Sequence, residues 1–344
     1  MVAGDYGREK ISLCMIVKNE AENLSRALQS ANDLVDEIIV VDTGSTDTSC
    51  DIARRFGARI YQYAWCDDFA AARNFSLRQA RSEWILVLDA DEAISSRDHA
   101  EIRSYIQEEK YSAVSFNQRN YFQSPTAENW CANQTDYEEA QGFAGYSDVP
   151  VIRLFRNRPD IYFEGVVHEV VDESLVGKRT KHTDIPIHHY RKDFHGAACR
   201  EKQEKYLALL VKAYEADPYN VKTCFLLGRQ LADLQCYPEA VAYLERAAGS
   251  GTNSERVHEN LASAYFNCGM YAEAIAVLEK ITEFNPRYSE ALSTLGISYY
   301  QVGVVDKAIN SLVKAISLRP ASVMYRYNLA AIYYKEANDA AAQQ

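Results

Sequence analysis

Trp84-Ile-Leu-Val-Leu-Asp-Ala-Asp-Glu92 sets five apolar residues directly ahead of two aspartates separated by one alanine. A short, continuous apolar run of this kind has the length of a strand buried on both faces, and the sudden change to carboxylates marks its carboxyl end. Working outward, Ser12 to Val17, Glu37 to Val41 and Arg59 to Tyr63 have the same strand character. Helical patterns lie between them: Leu24, Ala27, Leu28 and Ala31 on a first helix, Ile52, Ala53 and Phe56 on a second that stops at Gly57, and a third over about Phe69 to Ala80. Strand and helix in alternation with short connections predict an α/β domain, a mostly parallel, Rossmann-like sheet covered on both faces.

In such a sheet the polar turns that follow the strands share one edge, where open α/β sheets bind ligands. Those turns are Lys18-Asn19-Glu20, Asp42-Thr43-Gly44-Ser45-Thr46-Asp47 and Asp89-Ala90-Asp91. Asp47 alone reads as a helix cap. Neither familiar glycine-rich phosphate loop is present, so phosphates need another partner. Asp89 and Asp91 supply hard oxygen ligands that suit Mg²⁺ or Mn²⁺, ions that commonly bridge carboxylates and a diphosphate. A third ligand is expected from the histidine-rich stretch holding His168, His182, His188, His189 and His195.

The back of the chain repeats itself. Rows of 34 residues begun at Val221 align Gly228, Ala262, Gly296 and Ala330 in the eighth column, Ala240, Ala274 and Ala308 in the twentieth, and Leu244, Leu278 and Leu312 in the twenty-fourth. This is the tetratricopeptide period, an all-α solenoid of stacked helix pairs. Repeats start near 221, 255, 289 and 323, and residues 197 to 216 read as a packing helix ahead of them. The expected domains are therefore 1–195 and 196–344.

The 344 residues carry 37 basic and 48 acidic side chains, a formal charge of −11, which disfavours nucleic acid and anionic membranes as partners. No apolar run approaches the roughly 18 residues of a membrane-spanning helix, and the first ten residues lack the apolar core of an export signal. Eight cysteines are scattered without a Cys-x-x-Cys pair, as suits reduced thiols, and the expected location is cytoplasmic. There are 24 tyrosines against 12 phenylalanines.

Cys14-Met-Ile-Val-Lys-Asn-Glu20, Val41-Asp-Thr-Gly-Ser-Thr-Asp47, Trp65-Cys-Asp-Asp-Phe-Ala-Ala-Ala-Arg-Asn74, Trp84 to Glu92, Arg153-Leu-Phe-Arg156 and Phe163-Glu-Gly-Val-Val-His-Glu169 together resemble family 2 glycosyltransferases of the GT-A fold. The resembling group carries C-terminal tetratricopeptide repeats and includes sublancin-type bacteriocin S-glycosyltransferases and lipopolysaccharide core glucosyltransferase-like proteins. The resemblance implies a UDP-sugar donor and an inverting, metal-dependent transfer. By position, Ile16, Val17, Lys18, Glu20, Asp42 and Ser45 match nucleoside contacts, Arg73 and Asn74 match a pair that closes the donor site, and Asp89, Ala90 and Asp91 match the metal and ribose turn. His189 before Tyr190 resembles a His-Tyr-Gly-Tyr metal or diphosphate contact, with Arg191 in place of the glycine; Arg191 is itself a candidate phosphate partner.

Glu169 is the expected base that deprotonates the acceptor, a carboxylate tuned upward by partial burial, with His168 as the alternative. Residues 111 to 150, rich in Tyr, Asn, Gln and Ser with Tyr121, Trp130, Tyr137 and Tyr146 interleaved, read as a long loop forming an acceptor-site lid. Three functions follow as expectations: transfer to a peptide or protein, with the repeats recognising the acceptor or pairing two subunits; the same chemistry on a cell-envelope glycolipid or oligosaccharide; or a scaffold that works through its repeats.

Overall fold

The computed structural model describes residues 10–124, 130–190, 197–250, 255–320 and 322–342. Arg191 and His195, both singled out above, lie outside the described residues. The chain divides into two compact units between Gly196 and Ala197.

The front unit is built on one sheet with strands β1 (Ile11–Val17), β2 (Glu37–Asp42), β3 (Arg59–Gln62), β4 (Trp84–Val87), β5 (Glu92–Ile94), β6 (Ala113–Phe122), β7 (Cys131–Ala132), β8 (Gly145–Arg156) and β9 (Thr180–His189). Their order is β3-β2-β1-β4-β8-β6-β9-β5, with β7 on the edge of β8. The first four strands are parallel. Beyond β4 the sheet is mixed: β8 runs antiparallel to both β4 and β6, β9 runs parallel to β6, and β5 runs antiparallel to β9. Helices α1 (Leu24–Ala31), α2 (Ser49–Arg55), α3 (Phe69–Leu77) and α4 (His99–Ile106) complete the unit.

Hydrophobic burial sets this arrangement. Alternate residues of the central strands feed two separate cores: Leu13, Met15, Val40 and Leu86 pack with Leu24, Leu28 and Ile102 on one face. Cys14, Ile39, Val41, Ile85 and Val87 pack with Ala70, Leu77, Phe155 and Phe163 on the other. Strands buried on both faces explain why their sequences are continuously apolar.

The expected loop over 111–150 instead begins and ends in two long paired strands, with β6 facing β8 from Ala113↔Phe155 to Phe122↔Gly145. Its apolar alternation fails because the distal half keeps polar groups inside the pairing. Arg119 is 7% exposed and forks onto Asp148 at 2.9 and 2.7 Å. Tyr121 is 8% exposed and stacks on Phe143 with ring centroids 4.5 Å apart, so it is a packing ring.

The rear unit is helical. It begins with α5 (Ala197–Ala216) and continues as α6 (Val221–Asp233) with α7 (Tyr237–Gly249), α8 (Glu255–Asn267) with α9 (Tyr271–Phe284), α10 (Ser289–Gln301) with α11 (Val305–Leu318), and α12 (Val323–Ala342). The small residues work as close-approach points: a Cβ added to Gly228 would sit 2.6 Å from Leu244 Cγ, and one on Gly296 would sit 2.8 Å from Leu312 Cγ. The tyrosine column carries a second repeating contact. Tyr265 donates to Glu245 at 2.6 Å, and Tyr299 makes the equivalent bond to Glu279 one repeat later.

Candidate active site

The three carboxylate-bearing turns converge at the carboxyl ends of β1, β2 and β4, as parallel pairing of those strands requires. The first two are laced together. Asn19, held at a φ of 57°, donates its N–H to Ser45 Oγ at 3.0 Å and accepts from Thr46 N–H at 2.7 Å. Ser49 Oγ accepts from the Glu20 N–H at 2.8 Å. Asp42 is 2% exposed and accepts the Ser45 N–H at 3.0 Å. Asp47 accepts from Ser49 and Ala21 N–H groups at 2.9 and 3.0 Å, so it ties the start of α2 to the neighbouring turn. Those bonds, that of Ser49 foremost, hold its carboxyl below the usual range. Val17 is buried in one core and Ile16 packs against the core on the opposite face, while Lys18 is exposed and Glu20 partly so. Val17 therefore reaches this edge only through its backbone; its carbonyl accepts the Thr43 N–H at 3.0 Å.

The third turn is a charge network. Asp89 accepts from Arg73 at 2.5 Å on one oxygen and from Arg153 at 2.9 Å on the other. Arg73 also donates through Nε to Glu169 Oε1 at 2.6 Å, and Arg153 to Glu92 Oε1 at 2.5 Å. Burial opposes the charge on Asp89, but Arg73 and then Arg153 hold its carboxyl well below the usual range. Burial likewise works against the Arg73 cation, and Asp89 and Glu169 outweigh it. With both oxygens engaged by guanidinium groups, Asp89 is the hub of this ion-pair chain. Ala90 is buried between the two aspartates.

Glu92 is a member of the site that sequence reasoning missed. It is fully buried, and it fixes the turn by accepting the Asp89 N–H at 2.9 Å and the Gln118 amide at 2.5 Å. Its signal was a carboxylate at the start of a buried apolar stretch, Glu92-Ala-Ile. Arg153 was legible only as part of a motif.

Asp91 lies apart from that chain and is met by His189 across the turn. His189 Nε2 is 3.3 Å from Asp91 Oδ2, and its Nδ1 is 2.8 Å from Asn120 Oδ1. An imidazole nitrogen and a carboxylate oxygen so placed, with the other ring nitrogen held by Asn120, are a pair of donor atoms suited to a shared cation. The spacing suits adjacent ligands of an ion with bonds of about 2.1 Å. Among the described residues no group of three or more His, Cys, Asp or Glu side chains is placed to hold a metal. Asp91 and His189 would thus hold Mg²⁺ or Mn²⁺ only together with oxygens from a bound phosphate, which is the usual habit of these ions.

Asn74 is bound to backbone. Its amide donates to the Phe163 carbonyl at 2.9 Å and accepts the Phe163 N–H at 2.8 Å, which pins the segment that carries Glu169. Phe69 N–H adds a bond to the Val166 carbonyl at 3.0 Å, and Asp68 caps α3 by accepting from Ala71. The Gly165 to Glu169 turn needs left-handed backbone at Gly165 (φ 107°) and His168 (φ 55°). That geometry turns His168 outward, exposed, while Glu169 points inward to Arg73. Of the other histidines, His182 lies on β9 and His188 is fully buried, its Nδ1 2.5 Å from the Tyr121 hydroxyl.

Residues 12–158 match glycosyl transferase family 2, and residues 231–297 match the tetratricopeptide repeat. A TPR repeat-containing protein of Synechococcus elongatus is 42% identical over 167 residues, 48% of this chain and 36% of that protein. The SPbeta prophage-derived glycosyltransferase SunS of Bacillus subtilis is 28% identical over 242 residues, 69% of this chain and 53% of that protein. An uncharacterized glycosyltransferase of Rickettsia felis is 38% identical over 113 residues, 33% of this chain and 37% of that protein. The chain thus spans about a third to a half of the length of these curated relatives. Among solved structures, MamA is similar over 43% of this chain and 87% of its own, with 27% identity and a TM-score of 0.38. Among the described residues, no helix is long and apolar enough to cross a membrane. The front of the chain is thus similar to glycosyl transferase family 2 and its rear to the tetratricopeptide repeat.

Proposed function

We propose that the front domain transfers a sugar from a UDP-sugar to a peptide or protein, with inversion at the anomeric carbon and with Mg²⁺ or Mn²⁺ as cofactor. The observation that carries this reading is the placement of Glu169 and Asp89 on one guanidinium, Arg73, beside an Asp91–His189 pair suited to a cation.

The laced turns after β1 and β2, with Asp42 and Ser45, receive the nucleoside. When bound, the metal supplies Lewis-acid stabilisation of the departing diphosphate. Arg73 takes Oε1 of Glu169 and fixes the carboxylate, which leaves Oε2 for an acceptor proton. The acceptor atom then bonds to the anomeric carbon from the face opposite UDP, its proton passes to Glu169, and the bond to UDP breaks. A base in this role contributes about 10²–10⁴ in rate. The repeats supply the surface that recognises the acceptor chain, in keeping with the solenoid's extended binding faces.

Incubation with UDP-glucose, UDP-GlcNAc, UDP-galactose and GDP-mannose plus Mn²⁺, with mass spectrometry of candidate peptides, tests the proposal. A hexose or N-acetylhexosamine mass added to a peptide supports it; release of UDP with modification of glycolipid alone overturns the acceptor assignment.

A further inference from the structure

Among the described residues three arginines approach the ligand-binding edge, and two are already committed. Arg73 is shared by Asp89 and Glu169, and Arg153 by Asp89 and Glu92. The third, Arg26, lies in the first turn of α1, and among the described residues it has no carboxylate partner. Its contacts are one long hydrogen bond to Asn23 Oδ1 at 3.3 Å and the face of Tyr190, whose ring centroid is 3.8 Å from the guanidinium carbon.

That ring is fixed beside the candidate cation site. Tyr190 donates its backbone N–H to the Asp91 carbonyl at 2.9 Å, and it directly follows His189, which faces Asp91. Its hydroxyl donates to the Glu139 carbonyl at 3.1 Å, and its ring lies against Tyr121 at 5.8 Å. Stacking on so well-held a ring fixes the plane of the guanidinium, while most of its five N–H donors remain available.

The position of the charge is unfavourable without a ligand. α1 begins after Asn23, its first turn contains no acidic residue, and the Asn23 side chain makes no capping bond. A cation there opposes the helix dipole. The first-turn N–H groups of Leu24, Arg26 and Ala27 are already taken by the Glu20 and Asn23 carbonyls, so an anion settling here would be held by the exposed guanidinium of Arg26 itself.

Resting on the glycosyltransferase reading above, we infer that Arg26, stacked on Tyr190, binds the diphosphate of the nucleotide donor. A diphosphate spans two phosphoryl groups, so the Asp91–His189 cation and Arg26 can each take oxygens from it. Arg26 then selects for donors with a diphosphate and helps hold UDP after transfer.

Calorimetry with Mn²⁺ separates the possibilities, using UDP and uridine as probes on the full chain and on Arg26→Gln, Arg26→Lys and Tyr190→Leu. Arg26→Gln is expected to weaken UDP about tenfold, the scale of one charge-assisted hydrogen bond, with uridine affinity unchanged. Arg26→Lys should recover part of the loss, because it restores charge without the planar fork, and Tyr190→Leu should resemble it. Equal weakening of UDP and uridine, or no weakening of either, overturns the inference while leaving the donor reading intact. Failure of the unaltered protein to bind UDP overturns both.

Discussion

Arg73 and Glu169 stand 96 residues apart in sequence and meet at 2.6 Å, with Asp89 on the other side of the same guanidinium. This contact joins α3, the turn after β4 and the Gly165 to Glu169 turn into one unit. Its partners are largely buried: the side chains of Arg73 and Glu169 are 7% and 11% exposed.

Arg73→Ala should therefore be strongly destabilising. Removing the cation strips the buried Glu169 of its ion-pair partner and leaves Asp89 to Arg153 alone, and loss of one partner from a buried pair costs about 3–5 kcal/mol. Urea denaturation of the unaltered and variant chains, followed by tryptophan fluorescence, measures it. A loss below about 1 kcal/mol would show that the carboxylates are hydrated.

The two aspartates of the third turn should separate by phenotype. Asp89→Asn weakens the bonds to both Arg73 and Arg153 and should lower stability and turnover together. Asp91 is 33% exposed and faces His189 alone among the ion pairs, so Asp91→Asn should hold stability within about 0.5 kcal/mol. It should nevertheless abolish the Mn²⁺ dependence of donor binding. Paired denaturation and calorimetry on the two variants give the answer.

His188 makes the front domain sensitive to acid. Burial first, then Arg119 and Arg97, push its pKa down to about 3, so it stays neutral in the fold while the unfolded chain takes up a proton near its ordinary 6.5. The unfolded state then binds more protons between about pH 6.5 and 3, and stability falls as pH falls through that window, by up to about 1.4 kcal/mol per pH unit. The depressed Asp89 acts in the same direction at lower pH, its stabilisation being present above the unfolded carboxylate value and lost on acidification. Urea midpoints from pH 7 to 4 should slope less steeply for His188→Gln than for the unaltered chain.

In the repeats, the small-residue column is a steric requirement. Gly228→Val places carbon 2.6 Å from Leu244 Cγ and 3.1 Å from the Ala240 carbonyl, which should cost about 1–3 kcal/mol as overpacking. Gly249, near the end of α7, has nothing within 4 Å of an added Cβ. Gly249→Ala should be neutral or stabilising by up to about 1 kcal/mol. Thermal melts of both variants by circular dichroism check the contrast.

The legible parts of this fold are those in which each element reports itself locally. Trp84 to Val87 is apolar because both its faces are buried, and Gly228 and Gly296 recur because Leu244 and Leu312 leave no room for a side chain. The strands β6 and β8 were hidden because Arg119 and Asp148 satisfy each other inside the pairing, so their polar residues mimic a loop. Site geometry was half visible. Asp89 and Asp91 look equivalent in sequence, and only the long-range approach of Arg73 and Arg153 makes one an ion-pair hub while the other faces His189. Asn74 was placed in the donor site by position, yet its partner, the Phe163 backbone, is 89 residues away. No local pattern encodes such a contact.

The most direct test of the account is single-turnover transfer from the active UDP-sugar and Mn²⁺ by the unaltered chain, Glu169→Gln and His168→Gln, with donor affinity measured alongside. The account predicts a loss of about 10²–10⁴ in rate for Glu169→Gln with donor binding retained, and little change for the outward-facing His168→Gln. Near-normal transfer by Glu169→Gln, with the large loss falling on His168→Gln, would contradict it.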